Sequence, residues 1–480
     1  MVASHRVRAL LRAGEPSLFL VCVFLLTLLL ARSLFLQSDE GYTLNAAWQV
    51  WTGLRMYDDF RLVVGPGSGY AIYWAWRLWG NPSLLVARLV ALAFSFWSTT
   101  GFYLLLRRLG VRGANLATAV IVWLCASSLY VFLNHNSFSA FAAIWFMLAL
   151  IRVVQARSTG AAVGDRSRDH ALVGAAAGVV FLFLPIKASL LAAAAAAFLF
   201  ATGRPPRLRR LLALAAGFAL VIAPLCLIWS PATLIRQWLI IPLTGNYRYF
   251  GHTSGSPYVA VAIVVVAAMA WVALRLHDRV LQALTAVQIA LFLGMSHNME
   301  SAHFAINAFP IVVFTSVVLH RRFSRSLLEE GVGALLVTGG VTMALIVWTV
   351  ASSAGAEFFS ASTLSVDLLG HRPQAFTSPR IAAARAIYAG PFLPGLYYLL
   401  GKKNPFFVSE TVVCDEACHR QLIAELGAVR PELVFLDYAM VRPLSYDENA
   451  PVDAYLRAHY VACPGHGEMT IRAADARFCP

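Results

Sequence analysis

The chain has 480 residues, of which 59% are hydrophobic and 13% charged, with a mean hydropathy of +0.68. A water-soluble domain of ordinary composition is not this apolar, so a bilayer is the main solvent. The net charge of +14 would suit nucleic acid, yet the basic residues stand in short clusters between apolar runs, a pattern that sets membrane topology and argues against a nucleic-acid partner.

Arg6, Arg8 and Arg12 precede an apolar run over Ser17–Leu36, which is long enough to span and reads as an uncleaved helix rather than a signal peptide. Further spans are expected at Leu84–Leu106, Ala114–Leu133 and Ser137–Val154, then a short pair at Ala171–Leu184 and Ala188–Ala201 turning at Pro185 and Lys187. Leu211–Trp229, Tyr258–Leu274, Val280–Met295, Phe304–Leu319 and Val332–Val350 complete a polytopic α-helical membrane protein of about eleven transmembrane helices.

Arginine clusters at Arg107/Arg108/Arg112, Arg152/Arg157/Arg166/Arg168, Arg204/Arg207/Arg209/Arg210, Arg275/Arg279 and Arg321/Arg322/Arg325 fall on alternate loops. The positive-inside rule therefore predicts a multi-pass protein of the plasma (inner) membrane, with its N-terminus cytoplasmic and its C-terminal domain extracytoplasmic. The expected division is a membrane domain over residues 1–354, with a first external loop at 37–83, and a small α/β domain over 355–480.

Within the tail the patterning predicts a helix at Pro379–Tyr388, a strand at Pro405–Val408, a helix at Asp415–Leu426, a strand at Glu432–Leu436, a helix at Val452–Tyr460 and a closing hairpin over Tyr460–Arg472. Cys22, Cys125 and Cys226 lie in apolar runs, whereas Cys414, Cys418, Cys463 and Cys479 lie in the tail. An oxidising compartment favours Cys414–Cys418 and Cys463–Cys479 as disulfides among three connectivities, with a zinc site including His419 and His466 as the alternative.

The first external loop opens with Ser38-Asp39-Glu40-Gly41-Tyr42. A carboxylate at the edge of a low-dielectric region can have its pKa raised toward the range of a general base. The plainer reading is that Ser38 or Asp39 caps the helix that follows. That helix carries Leu44, Ala47, Trp48 and Trp51 on one face, as an interfacial helix does, and leads to a second acidic pair in Met56-Tyr57-Asp58-Asp59-Phe60.

Asp39-Glu40-x-Tyr42, Gly53, Tyr57-Asp58-x-Phe60, Leu78-Trp79-Gly80, Arg88 and Leu104-Leu105-Leu106-Arg107-Arg108-Leu109-Gly110 together resemble the GT-C membrane glycosyltransferases, in particular the polyprenyl-phosphate-sugar users related to aminoarabinose transferase and protein O-mannosyltransferases. The likeness extends to Lys187 and to Ala302–Pro310. Where many of those enzymes carry a basic or histidine residue followed by Pro-Pro, this chain has Val64-Gly65-Pro66-Gly67.

The resemblance implies an inverting transfer of sugar from a polyprenyl-phosphate donor to a hydroxyl of an envelope glycan, lipid or protein. It casts Asp39 as general base, with Glu40 beside it. Tyr42, Tyr57, Asp58 and Asp59 would orient the acceptor or hold the loop. Lys187, Arg236, Arg248 and His303 are the candidate partners of the donor phosphate, since Lys and Arg hold phosphate well. For Lys187 the competing reading is interfacial snorkelling, and for the external arginines it is contact with lipid headgroups.

Asp39, Glu40, Glu300 and His303 are ligand types for a divalent metal, but no short ligand spacing accompanies them, so metal dependence is left open. A flippase for a lipid-linked glycan or a noncatalytic envelope scaffold would share the topology, but neither explains paired acids at the outer surface.

Overall fold

The computed structural model describes residues 34–35, 39–62, 64–128, 133–158, 167–202, 207–240, 257–295, 301–323, 365–366, 378–408, 410–438, 441–442, 446–464 and 469–480. A short strand, β1 (Leu34–Phe35), pairs antiparallel with β2 (Ser365–Val366). The first loop carries α1 (Asp39–Trp51) and α2 (Gly67–Trp79).

The helices that follow are α3 (Leu84–Arg108), α4 (Gly113–Ser128), α5 (His135–Ser158), α6 (Ser167–Phe183), α7 (Pro185–Thr202) and α8 (Arg207–Ile222). After α9 (Pro231–Ile235) come α10 (Pro257–Arg275), α11 (Arg279–Leu293), α12 (Ser301–Asn307) and α13 (Phe309–Phe323). Among the described residues, Leu84–Arg108, His135–Ala156, Arg207–Leu227 and Pro257–Arg275 are long and apolar enough to cross a membrane, and Pro185–Ala201 and Arg279–Leu293 are shorter apolar helices. The expected span at Val332–Val350 lies outside the described residues, as does that at Ser17–Leu36 except for its end, where Leu34–Phe35 form the strand β1 and not helix.

Local chemistry explains the boundaries. Ser83 caps α3 by accepting from the Val86 backbone N–H, and Gly110, in the left-handed region at φ 86°, turns the chain after Arg108. α6 starts earlier than the apolar pattern suggests, because Asp169 in its first turn is buried and lies 3.7 Å from Arg152 of α5. The single span expected at Phe304–Leu319 is instead broken at Ala308, between α12 and α13, since Pro310 has no N–H to continue the helical ladder and suits a helix start.

α5 is the central helix. Phe138, Phe141, Ile144, Phe146, Met147 and Ile151 are fully buried, and it packs on α3, α6 and α11. α6 and α8 cross at glycines: a Cβ on Gly174 would meet the Leu214 carbonyl oxygen at 1.9 Å, and one on Gly217 would meet that of Ala171 at 1.9 Å. Such small-residue crossings let backbones approach closely where lipid supplies little hydrophobic drive between helices.

In the tail, β3 (Ile387–Pro391), β4 (Leu433–Asp437), β5 (Val461–Ala462) and β6 (Thr470–Ala473) form a sheet in the order β3-β4-β6-β5. β3 and β4 are parallel, in the register Ile387↔Leu433, and the remaining pairs are antiparallel. Three further helices are α15 (Gly395–Leu400), after the short α14 (Pro379–Ala383), then α16 (Glu416–Val429) and α17 (Pro451–His459). Asp415 caps α16 through the Cys418 N–H at 2.8 Å.

The helix expected over Pro379–Tyr388 stops at Ala383, because Ile387 and Tyr388 are needed in the parallel ladder. Pro405–Val408 is not a strand. Its backbone groups bond elsewhere: Phe406 N–H to Asn404 Oδ1 at 3.0 Å, Phe407 N–H to Glu425 Oε2 at 3.0 Å, and Phe407 C=O from Arg61 N–H at 2.7 Å. Cys414–Cys418 and Cys463–Cys479 are disulfides, with Cα separations of 5.2 and 5.4 Å, so those thiols are not available to zinc.

Candidate active site

α1 buries Glu40, Leu44 and Ala47, spaced at i, i+4 and i+7, against the helix bundle. Asp39 is its first residue. Glu40 is fully buried, with its Oε1 3.3 Å from Arg88 Nε of α3, and burial pushes its carboxyl up to about 7 while Arg88 pulls it back down. Glu40 thus ties α1 to the bundle. Glu40→Ala removes the carboxylate that pairs with buried Arg88 and is expected to cost about 3–5 kcal/mol of stability. Thermal unfolding in detergent checks this, and an unchanged transition with lost activity would instead make Glu40 a substrate contact.

The loop after α1 is held by aromatic hydrogen bonds. Tyr57 is buried at φ 70° and donates from its hydroxyl to the Val64 carbonyl at 2.8 Å; the Trp238 indole donates to that hydroxyl at 2.9 Å, and the Trp229 indole to the Met56 carbonyl at 2.7 Å. Tyr57 is therefore a loop-positioning residue. Asp58 and Asp59 are exposed: Asp58 pairs with Arg55 at 2.7 Å, and Asp59 accepts from the Arg55 N–H at 2.7 Å, closing the turn locally.

The Gly65-Pro66-Gly67 departure has a steric reason. Gly65 N–H donates to the Phe183 carbonyl at 3.0 Å, and a Cβ on Gly65 would meet the Leu182 carbonyl oxygen at 2.2 Å. The loop presses on the corner where α6 hands over to α7, so a larger residue is excluded there.

Beyond that corner Lys187, in the first turn of α7, is fully buried and donates to Ser139 Oγ at 2.7 Å; Ser139 donates in turn to the Asn136 carbonyl at 2.8 Å. Asn136 Nδ2 stands 3.1 Å from His135 Nε2 and 3.0 Å from His303 Nε2. Tyr42 of α1 meets the His135 ring edge-on at 6.2 Å. The structure thus brings Tyr42, Lys187 and His303 to one cluster at the start of α5, and Tyr42 lies one helical turn after Asp39 in α1. Lys187 makes no ion pair among the described residues.

His135, Asn136 and Ser139 were not singled out by the sequence reading. Their signal was the polar run Asn134-His135-Asn136-Ser137 between two apolar spans. Arg236 is exposed and acts electrostatically on Arg61 of the first loop, and Arg248 lies outside the described residues. Among the described residues no three His, Cys, Asp or Glu side chains are grouped to hold a metal; the Asp39 side chain and Glu300 lie outside that set.

An apolar groove of about 730 Å³ flanks the cluster, lined by Tyr70, Trp74, Phe94, Trp97, Phe183 and Trp229 among others. Its Phe94 and Phe183 pack on Phe138, the residue before Ser139, with ring centroids 4.6 and 5.6 Å away.

The tail closes on the same region. The Trp48 indole donates to the Lys402 carbonyl at 2.7 Å, Gln49 Oε1 accepts from Asn404 N–H at 3.1 Å, and Tyr398 stacks on Trp76 at 5.4 Å.

No sequence-family profile and no curated protein sequence matches the chain. Solved structures do. The chain is similar to apo ArnT from Cupriavidus metallidurans at 14% identity and a TM-score of 0.57, over 98% of this chain and 99% of that one. It is similar to the same protein bound to undecaprenyl phosphate at 15% identity and a TM-score of 0.59, over the same shares of both chains, 98% and 99%. The Archaeoglobus fulgidus oligosaccharyltransferase in complex with Zn and sulfate follows at 12% and 0.50, over 96% of this chain and 73% of that one. With helices suited to a bilayer, a first loop built around α1 and these neighbours, the chain has the fold of the GT-C membrane glycosyltransferases.

Proposed function

We propose that the protein transfers a sugar from a polyprenyl-phosphate carrier to an acceptor hydroxyl at the outer face of the plasma membrane. The observation that carries this reading is Lys187. A buried lysine with no carboxylate partner among the described residues is costly to keep charged, and an anion brought beside it offsets that cost. It stands with His303 and Asn136 at the start of α5, where the helix dipole favours negative charge. A lipid phosphate meets all of these at once, and ArnT has been crystallised with undecaprenyl phosphate.

In the reaction the acceptor oxygen attacks the anomeric carbon as the bond from that carbon to the phosphate oxygen breaks. The electron pair leaves with the phosphate, which Lys187 stabilises, and the hydroxyl proton passes to Asp39. The configuration at the anomeric carbon inverts, and no sugar-enzyme intermediate forms. The apolar groove beside Phe138 would take up isoprenoid units of the carrier. The positive-inside arrangement and the two tail disulfides support an external tail and first loop.

Purified protein incubated with defined undecaprenyl-phosphate sugars and an envelope extract should convert one of those donors to undecaprenyl phosphate, read by mass spectrometry. Movement of intact donor across a vesicle bilayer without that conversion would make the protein a flippase instead.

A further inference from the structure

One contact between the tail and the first turn of α1 is made by Phe392. The chain leaves β3 at Pro391 into Phe392, which is half-buried and belongs to two apolar clusters at once. One is the first-loop cluster of Tyr42, Met56, Tyr57 and Trp229; the other is the tail cluster of Val412, Val441, Tyr446 and Ala450. The Phe392 ring lies 6.4 Å from that of Tyr42 at 30°, and Tyr42 also meets His135 edge-on at 6.2 Å. Tyr42 follows Asp39 at i+3, so the two share a helix face.

Behind Phe392 the tail is rigidly hydrogen-bonded. Thr411 Oγ1 donates to the Pro391 carbonyl at 3.4 Å and stands 3.1 Å from the Tyr446 hydroxyl. Tyr446 and Tyr438 each donate to the Asp453 carboxylate at 2.5 Å. The tail therefore holds Phe392 from a buried polar network, and Phe392 in turn holds Tyr42.

We infer that Phe392 is a positioning residue for the transfer reaction, through which the tail fixes the first turn of α1, the turn that Asp39 begins. This rests on the reading of Asp39 as the base. Other tail contacts lie on the first loop, where Phe407 accepts from Arg61 N–H, and later on α1 and on α2, where Tyr398 stacks on Trp76 and meets Trp48 edge-on at 6.0 Å. The Tyr398 contacts dock the tail at Trp48 and Trp76, away from the first turn of α1, which makes Tyr398 the natural control.

The test compares Phe392→Ala, Phe392→Leu and Tyr398→Ala in the full-length protein. Phe392→Ala should lower kcat about ten- to a hundredfold, as small misplacements of reacting groups do. Undecaprenyl phosphate binding and melting temperature should stay near wild type, and Phe392→Leu should recover most of the turnover. Tyr398→Ala should lower the melting temperature while kcat per folded molecule holds.

Hydrogen exchange supplies a readout that needs no activity: Phe392→Ala should speed exchange at Thr43–Ala47, and Tyr398→Ala should not. Unchanged kcat and unchanged exchange in Phe392→Ala would overturn the inference. So would parallel loss of stability and turnover in both alanine variants. If wild-type protein turns over no donor while the exchange contrast is present, the transferase reading falls and the contact between Phe392 and the α1 turn stands.

Discussion

Asp39→Asn is expected to reduce sugar transfer by about a thousandfold, within the roughly 10²–10⁴-fold range of a single general base. The amide keeps the size of the side chain but cannot take the acceptor's proton. Asp39 begins α1, and Glu40 ties that helix to Arg88 of the bundle. The variant should therefore fold and bind undecaprenyl phosphate as wild type does. Single-turnover transfer from a loaded donor checks this, and a wild-type rate in Asp39→Asn would remove Asp39 as the base.

Lys187→Met should weaken undecaprenyl phosphate binding about ten- to a hundredfold, the range expected for losing one charge-assisted hydrogen bond of about 1.5–3 kcal/mol. Methionine has nearly the length of lysine and suits the apolar surroundings of α7, so the bundle should stay intact, and stability should hold or rise because a buried charge is gone. Direct binding of undecaprenyl phosphate by native mass spectrometry is the measurement. Unweakened binding would place the phosphate elsewhere and return Lys187 to a structural role with Ser139.

The architecture was legible wherever apolar runs exceed a bilayer's width. Leu84–Arg108 and Pro257–Arg275 follow from hydropathy and flanking arginines alone. The break at Ala308 was not, because Pro310 can either kink a helix or start one, and only the packing around His303 and Gln288 decides. Gln288 donates to the Asn307 carbonyl at 3.0 Å and so satisfies a group that the break frees. Pro405–Val408 misled for a related reason, since strand-like residues there bond to Arg61 and Glu425 from distant segments.

At the site, Asp39, Tyr42, Lys187 and His303 were visible as polar groups at the ends of apolar runs. His135 and Asn136 acquire meaning only through His303, which lies 167 residues from Asn136 in the chain. Glu40 could have been separated from Asp39 by its phase, because it extends the Leu44 and Ala47 stripe by one turn into the bundle. Phe392 carried no local signal: its role comes from a cluster that joins parts of the chain more than three hundred residues apart.

Conversion of donor is the most direct measurement of the whole account. Wild-type protein, Lys187→Met and Asp39→Asn are each given defined undecaprenyl-phosphate sugars with an envelope extract, and the undecaprenyl phosphate released is quantified by mass spectrometry. The expected result is release by wild type from one donor, strongly reduced release by Lys187→Met, and almost none by Asp39→Asn despite normal binding. Equal release by all three proteins, or binding of every donor with no release by wild type, would contradict it.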